Sequence, residues 1–232
     1  MWIWFFAVPM AYYIYKKINE KRREAQREDF IRTFKLPRGL LRRVQKKHPQ
    51  LNPEQLERVS LGLRQFFLAY LKSGLRPVSM PSQVVDDLWH EFILYTQAYQ
   101  SFCQQAFGQF LHHSPVEVIS SQQESNQSLR RTWFQCCAID YINPKAPARL
   151  PLLFALDSQL AIIGGFIYLA DCAALRSQSA DGSSGIILHC GTDFSDPGLF
   201  GSGGCAGSGG SGCSSGDSGG CSGGCGGGCG GD

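Results

Sequence analysis

Residues 52–74, NPEQLERVSLGLRQFFLAYLKSG, carry the clearest helical signal in the chain. Asn52 is a good N-cap residue, Pro53 suits the first helical turn, and Gly74 suits the position just past the helix end. Between them the apolar residues recur at helical spacing, and this stripe comprises Leu56, Val59, Leu63, Phe66, Phe67 and Tyr70. The pattern predicts a long amphipathic helix that buries one face against the rest of a domain.

The segments on either side show weaker helical patterns. Residues 36–48 predict a short basic helix, and a third helix is expected to begin after Ser82 and to bury Val85, Leu88, Trp89 and Phe92. No stretch of the chain shows sustained alternation of apolar and polar residues. The predicted fold class is therefore mostly α.

The second half of the domain gives less regular patterns. Residues 116–127 are polar and predict a loop, after which Asn126 or Ser128 would cap a fourth helix that carries Trp133. Residues 150–174 are apolar but contain charged positions and a Gly-Gly pair, so they predict a short helix, a turn and a final core segment.

The N-terminus predicts a membrane anchor. Residues 1–15, MWIWFFAVPMAYYIY, contain no charged side chain and span roughly 22 Å as a helix, short of the ~30 Å hydrocarbon core. Ile18 would extend the apolar segment if Lys16 and Lys17 snorkel towards the headgroups. The alternatives are an interfacial helix or a buried N-terminal helix. Since aromatic and aliphatic side chains occupy every side of the segment, a spanning anchor over residues 1–18 is preferred.

A basic block follows directly. Residues 16–49 hold thirteen Lys and Arg against four Asp and Glu. By the positive-inside rule, the expected location is the inner membrane of a bacterial cell, single-pass, with the C-terminal domain on the cytoplasmic side. The expected lipid contacts are residues 1–18 with the membrane and a basic group with anionic headgroups. That group comprises Lys16, Lys17, Lys21, Arg22 and Arg23.

The C-terminus predicts a disordered tail. Residues 201–232 contain 17 Gly, 7 Ser and 5 Cys and no large apolar side chain, so they cannot build a core. The cysteines form a loose repeat, at Cys205, Cys213, Cys221, Cys225 and Cys229. This repeat is either a thiol cluster that captures soft metals or a diverged Gly-rich repeat whose cysteines have no particular arrangement for binding a metal. Residues 201–232 lack Lys and Arg, so nucleic-acid binding is not expected there.

The predicted organisation has four parts: an anchor over 1–18, a basic juxtamembrane segment over 19–35, a helical domain over 36–175, and the tail over 176–232.

The most suggestive chemical pattern lies in the third helix and after it. Histidine and cysteine are ligands for zinc and similar metals, and the candidate ligands are His90, Cys103, His112 and His113. Asp86 precedes His90 by one helical turn, so its carboxylate would orient the imidazole. The alternative is that Trp89 and Cys103 are core residues and the histidines make only structural hydrogen bonds.

Chain geometry decides whether these residues meet. If residues 83–107 form one unbroken helix, His90 lies roughly 25 Å from its C-terminal end, and the few following residues return at most about 16 Å. If Thr96 instead caps a second helix, the chain folds back and all three histidines can converge. Cys136 and Cys137 lack a CxxC spacing, which favours packing over thiol chemistry.

Two blocks carry a resemblance to a known family. Residues 84–115, VVDDLWHEFILYTQAYQSFCQQAFGQFLHHSP, resemble the core of the glycine-rich domain-containing protein-like family, and residues 132–160 resemble the second block of its bacterial members. The family is a domain of unknown function, so the resemblance implies positions of interest and no reaction. Those positions are Asp86, Trp89, His90, Tyr99, Cys103, Gly108 and His113.

The preferred function is a membrane-held, non-catalytic binding or scaffold module with an unidentified protein partner. The alternative is a metal-dependent enzyme or a metal- or thiol-handling protein that uses the cluster of His90, Cys103 and His113 or the tail cysteines. The cofactor is not identified by the sequence, and zinc is one candidate. Common catalytic fingerprints such as a Walker A loop and HExxH do not occur in the sequence.

Overall fold

The computed structural model describes residues 3–37, 39–113, 122–170, 189–191 and 194, all of which lie in the first of two units of the chain, Met1–Ser202. The order of elements among these residues is α1 (Ile3–Thr33), α2 (Leu40–Lys47), α3 (Pro53–Lys72), α4 (Gln83–Leu94), α5 (Thr96–Phe107), α6 (Gln122–Ile139), α7 (Leu152–Gln159), β1 (Tyr168–Leu169) and β2 (His189–Cys190). The mostly helical fold class is confirmed.

Helix α3 is the centre of the domain, and it packs against α1, α2, α4, α6 and α7. Its predicted ends are confirmed. The Asn52 side chain accepts a hydrogen bond from the Gln55 backbone N–H at 2.8 Å, and the Gln55 side chain accepts one from the Asn52 N–H at 2.9 Å. These reciprocal bonds form a capping box, which satisfies donors that a helix start leaves without partners. All six residues of the predicted apolar stripe are buried.

An aromatic core joins α3 to the two helices that carry the candidate site. The Phe66 ring lies 4.9 Å from the Trp89 ring of α4, and the Phe67 ring lies 4.8 Å from the Phe102 ring of α5. Phe66, Phe67 and Phe102 are at most 1% exposed. Buried aromatic rings contribute large apolar areas, so these contacts fix α4 and α5 against the centre of the domain.

Helix α1 corrects the membrane prediction. Among the described residues no helix is long and apolar enough to cross a bilayer, so the single-pass inner-membrane anchor is wrong. The physical reason is that a spanning helix needs about 20 mostly apolar residues, whereas the charge-free part of α1 ends at Tyr15 and the same helix continues through the basic residues to Thr33. The lipid contacts predicted for residues 1–18 and for the basic side chains are not tested.

The C-terminal end of α1 belongs to the core of the domain. Ile31 is fully buried, and the ring of Phe34, just past the helix, lies 4.7 Å from that of Phe102. Glu28 accepts hydrogen bonds from Lys72 of α3 at 2.8 Å and from Arg32 at 2.7 Å. The segment predicted as a juxtamembrane linker therefore ends in residues that pack and pair with the domain.

Helix α6 begins earlier than the sequence indicates. It begins at Gln122, so residues 122–127 are helical and neither Asn126 nor Ser128 is a cap. Polar residues on this helix have tertiary partners that a linear pattern does not reveal. The Thr132 hydroxyl donates to the Ser79 carbonyl at 2.8 Å, and the hydroxyls of Ser79 and Ser128 are hydrogen-bonded to each other.

The predicted final segment contributes both a helix and a strand. Helix α7 packs on α3 and α4, and β1 pairs in parallel with β2 through Tyr168–His189 and Leu169–Cys190. Phe194 follows β2 and is fully buried. The tail cysteines Cys205, Cys213, Cys221, Cys225 and Cys229 lie outside the described residues, as do residues 114–121.

Candidate functional site

Two residues of the candidate site lie on α4, whose start is capped by side chains. The Ser82 hydroxyl accepts from the Val85 N–H at 3.4 Å. The Asp157 carboxylate, from α7, accepts from the backbone N–H groups of Gln83 and Val84 at 2.7 and 3.2 Å. Since α4 is fixed at this end, Asp86 and His90 lie one turn apart on one face of a well-anchored helix.

The third residue reaches the site because the chain turns at Tyr95. Tyr95 has φ −82° and ψ 60°, and its N–H bonds to the Phe92 carbonyl at 3.0 Å, so α4 ends before it and α5 begins at Thr96. Of the two alternatives that the sequence left open, the structure therefore has the break, with Tyr95 rather than Thr96 in the cap position. Gly108, at φ 74°, ends α5 in the left-handed region, which glycine adopts without strain.

The chain after α5 then places His113 against α4. One nitrogen of His90, one of His113 and a carboxylate oxygen of Asp86 all lie within 4.8 Å of one another. His113 Nε2 is 3.0 Å from Asp86 Oδ1, and His90 Nδ1 is 3.3 Å from Asp86 Oδ2 and 2.9 Å from its carbonyl oxygen. The two imidazole rings have centroids 4.2 Å apart. Asp86, His90 and His113 are called the histidine–aspartate triplet below.

The triplet lies at the boundary between core and surface. The side chains of His113 and Asp86 are 16% and 23% exposed, and that of His90 is 48% exposed. Trp89, on α4, closes the inner side, because its ring centroid lies 4.6 Å from that of His113 and the residue is 5% exposed. A bound group would therefore meet protein on one side and solvent on the other.

A second histidine–carboxylate pair lies on the neighbouring face of α4. His48 Nε2 is 2.8 Å from Asp87 Oδ2, and Lys47 lies within 3.5 Å of both Asp87 and Glu91. Lys47 supplies a positive charge next to these carboxylates. This pair joins α2 to α4 and offers only one imidazole.

Two of the predicted metal ligands do not join the triplet. Cys103 is fully buried, and burial raises the pKa of its thiol, which opposes the thiolate form that binds metals. His112 is exposed, and its ring lies 4.8 Å from that of Phe110. The structure thus brings together two of the four predicted ligands, His90 and His113, with Asp86, the carboxylate predicted to orient His90. Binding of a metal there stays a prediction.

The adjacent cysteines of α6 are core residues. Cys136 and Cys137 are both fully buried. Burial raises the pKa of the Cys136 thiol well above its ordinary value and that of Cys137 to about 12. Neither thiol is ionised near neutral pH, which suits packing and opposes nucleophilic chemistry.

Sequence reasoning missed Asp157 as a residue that supports the site, and it marked Tyr99 only as a position of interest, without a role. Tyr99 donates to the Leu111 carbonyl at 2.6 Å and accepts from Trp89 Nε1 at 3.1 Å, and Asp157 caps α4 from a distant part of the chain. Asp157 is visible in the sequence as a charged residue within an apolar segment, and Tyr99 as an aromatic residue within a Gln-rich one. Their partners are not visible, because the hydrogen bonds depend on the turn at Tyr95 and on the packing of α7.

The fold and site define a helical domain with a histidine–aspartate triplet at the junction of α4 and the segment after α5. The chain belongs to the UCP032817-like family, whose model matches residues 26–194. This family is uncharacterised, and the match does not bear on the resemblance to glycine-rich domain-containing proteins. Neither the curated proteins nor the solved structures gave a match.

Proposed function

We propose that this domain is a metal-binding module that holds one divalent transition-metal ion through Asp86, His90 and His113. The observation that carries the proposal is the convergence of three donor groups within 4.8 Å from two separate segments of the chain. The proposal joins the two hypotheses drawn from the sequence, since it describes a binding module and names the ligand that the module binds.

The distances between the donor atoms support this assignment. Two atoms bound to one tetrahedral zinc ion at about 2.1 Å lie roughly 3.3 Å apart. In the structure, His113 Nε2 lies 3.0 Å from Asp86 Oδ1, and His90 Nδ1 lies 3.3 Å from Asp86 Oδ2. Small side-chain rotations would therefore suffice to seat an ion between the three groups.

The chemistry of the donors narrows the class of metal. Imidazole nitrogen suits zinc, iron, nickel and copper, whereas magnesium and calcium take oxygen ligands almost exclusively. Two imidazoles and one carboxylate leave coordination positions open. Because His90 is half exposed, those positions would face solvent and could accept a small external ligand.

The test is a titration of the full chain with Zn²⁺ by calorimetry, and with Co²⁺ by visible absorption. Accessible thiols are first alkylated with iodoacetamide, so that tail cysteines do not compete; Cys103, Cys136 and Cys137 escape because they are buried. We expect one equivalent to bind, with affinity reduced by about 100-fold or more in His113→Ala and in Asp86→Ala.

Two variants serve as matched controls. His112→Ala removes the imidazole adjacent to His113, and His48→Ala removes the imidazole paired with Asp87. Both should bind metal as the unmodified protein does. If the alkylated wild-type chain binds no metal, or if His112→Ala loses as much affinity as His113→Ala, the proposal is overturned.

A further inference from the structure

The position of His113 requires an explanation, because it lies on backbone that belongs to no helix or strand. Residues 109–113 follow the end of α5 without regular secondary structure. Asp86 and His90, by contrast, lie on α4 and are held by its hydrogen bonds and cap. A ligand on irregular backbone is held precisely only if side chains elsewhere in the fold anchor that backbone.

We infer that Tyr99 and Trp89 are positioning residues that hold His113 in place to bind the metal. The inference rests on the proposed function of the triplet. The Tyr99 hydroxyl donates to the carbonyl of Leu111, two residues before His113, at 2.6 Å, and accepts from Trp89 Nε1 at 3.1 Å. These two hydrogen bonds are called the Trp89–Tyr99 relay.

The two hydrogen bonds of the Trp89–Tyr99 relay are buried, so they hold the Leu111 carbonyl firmly. Tyr99 is 1% exposed, Trp89 5% and Leu111 8%, so water does not readily substitute for either hydrogen bond. Burial also raises the pKa of Tyr99 far above its ordinary value, so the hydroxyl keeps the proton that it donates. The Leu111 carbonyl is thereby fixed to α5, and the backbone that leads to His113 is fixed with it.

Trp89 connects the relay to the triplet by a second contact. Its indole N–H is directed to Tyr99, while its ring packs against the His113 imidazole with centroids 4.6 Å apart at 63°. Trp89 also lies between Asp86 and His90 on α4. The Trp89 side chain therefore contacts both Tyr99, which anchors the backbone, and the His113 imidazole, which that backbone carries.

Cys103 gains an explanation from the same arrangement. Cys103 is fully buried, and burial raises the pKa of its thiol although the Leu111 backbone and the Tyr99 hydroxyl act in the opposite direction. Cys103 thus lines the buried end of the relay instead of ligating the metal. Tyr99 and Cys103, which lie between Trp89 and His113 in the chain, therefore help to position His113 and are not additional metal ligands.

The test compares Tyr99→Phe with Tyr70→Phe in the full, alkylated chain. Tyr70 is a matched control because it is also a buried tyrosine whose hydroxyl is hydrogen-bonded to this segment, accepting from Gln109 Nε2 at 3.0 Å. Removal of its hydroxyl leaves the Leu111 carbonyl anchored. We expect Tyr99→Phe to weaken Zn²⁺ binding by about 10- to 100-fold and to alter the Co²⁺ absorption spectrum, while Tyr70→Phe changes neither.

A metal-free measurement separates positioning from general damage to the fold. Proton NMR should show contacts between the Trp89 indole and the His113 imidazole in the wild type and in Tyr70→Phe. These contacts should be lost or weakened in Tyr99→Phe, although other core contacts persist. If Tyr99→Phe does not fold, Trp89→Phe, which removes the indole donor and keeps an aromatic ring, takes its place in the metal titration with the same expected loss of Zn²⁺ affinity.

The outcomes distinguish this inference from the proposed function. If the wild type binds no metal, the proposed function and the inference both fail. If the wild type binds metal and folded Tyr99→Phe or Trp89→Phe binds it with unchanged affinity, only the inference fails. Equal losses in Tyr99→Phe and Tyr70→Phe would also overturn it, because a general loss of packing would then explain both.

Discussion

At the scale of single residues, Asp157 is a buried charged side chain that supports the triplet from α7. It is 3% exposed, and its two oxygens accept from the Ser82 hydroxyl and from the backbone N–H groups of Gln83, Val84 and Phe166 at 2.7 to 3.2 Å. A buried carboxylate is tolerated when it is this fully hydrogen-bonded. Here it also lies at the positive end of the α4 dipole, which favours its charge.

We predict that Asp157→Ala lowers the free energy of unfolding by about 3 kcal/mol, because it leaves several buried donors without an acceptor. Urea denaturation measures this change. The control Asp29→Ala removes an exposed carboxylate on α1 and should cost less than about 0.5 kcal/mol. A loss below about 1 kcal/mol for Asp157→Ala would show that water replaces the carboxylate.

A comparable buried network holds the start of α7. Gln65 of α3 accepts from the Leu153 N–H at 2.8 Å and donates to Asp140 Oδ1 at 2.7 Å, and Asp140 Oδ2 accepts from the Leu152 N–H at 2.9 Å. Neither Asp157 nor Gln65 could be assigned from the sequence. Each acts on backbone groups more than 70 residues away, which no local pattern encodes.

At the scale of elements, local signals predicted what local interactions determine. The ends of α3 depend on Asn52, Pro53 and Gly74, which act within a few residues, and these ends were predictable. The early start of α6 was not, because its polar residues Ser128 and Thr132 are satisfied by Ser79 across the domain. A polar helix face that packs against a loop looks like a loop in the sequence.

In the candidate site, too, the features set by local interactions were predictable and those set by the fold were not. The pairing of Asp86 with His90 follows from helical spacing, so it was predictable. The approach of His113 required the turn at Tyr95, which the sequence offered as one of two alternatives. The exposure of His112 depends on which side of irregular backbone faces the core, and spacing alone does not give this. Cys103 lies on α5, and its burial was one of the alternatives that the sequence left open.

The contact between α1 and α3 gives a pH-dependent prediction. Hydrogen bonds from Lys72 and Arg32 hold the pKa of Glu28 below its ordinary value of 4.5. A carboxylate whose folded pKa is lowered stabilises the fold above its unfolded pKa, and this contribution is lost as the pH falls through the folded value. Glu28 is 26% exposed, so solvent screening limits the contribution to about 1 kcal/mol or less.

We therefore predict that Glu28→Gln is less stable than the wild type at pH 7 and that the difference closes as the pH falls below 4.5. Urea unfolding across this range measures both curves. The matched control is Glu24→Gln, one turn earlier on the exposed part of α1, which should follow the wild type at every pH. A constant difference between wild type and Glu28→Gln at all pH values would contradict the ion-pair origin.

At the scale of the whole molecule, the core extends beyond the central helices in both directions along the chain. Ile31 on the N-terminal side and Phe194 on the C-terminal side are both fully buried. The family match over residues 26–194 covers both. Phe194 packs against the rings of Trp133 and Phe154 at 5.4 and 5.9 Å, and its carbonyl accepts from Arg130 at 2.8 Å.

We predict that Phe194→Ala lowers the free energy of unfolding by about 3–5 kcal/mol, a large part of the 5–15 kcal/mol typical of a domain. The control is Phe166→Ala, since Phe166 is 42% exposed and its replacement should cost about 1 kcal/mol or less.

A chain that ends at residue 180 lacks both β2 and Phe194, so it should lose at least as much free energy of unfolding as Phe194→Ala. A chain that ends at residue 200 should match the full chain. If the shorter chain were as stable as the longer one, Phe194 would not contribute to the core, and the boundary of the folding unit would have to lie before β2.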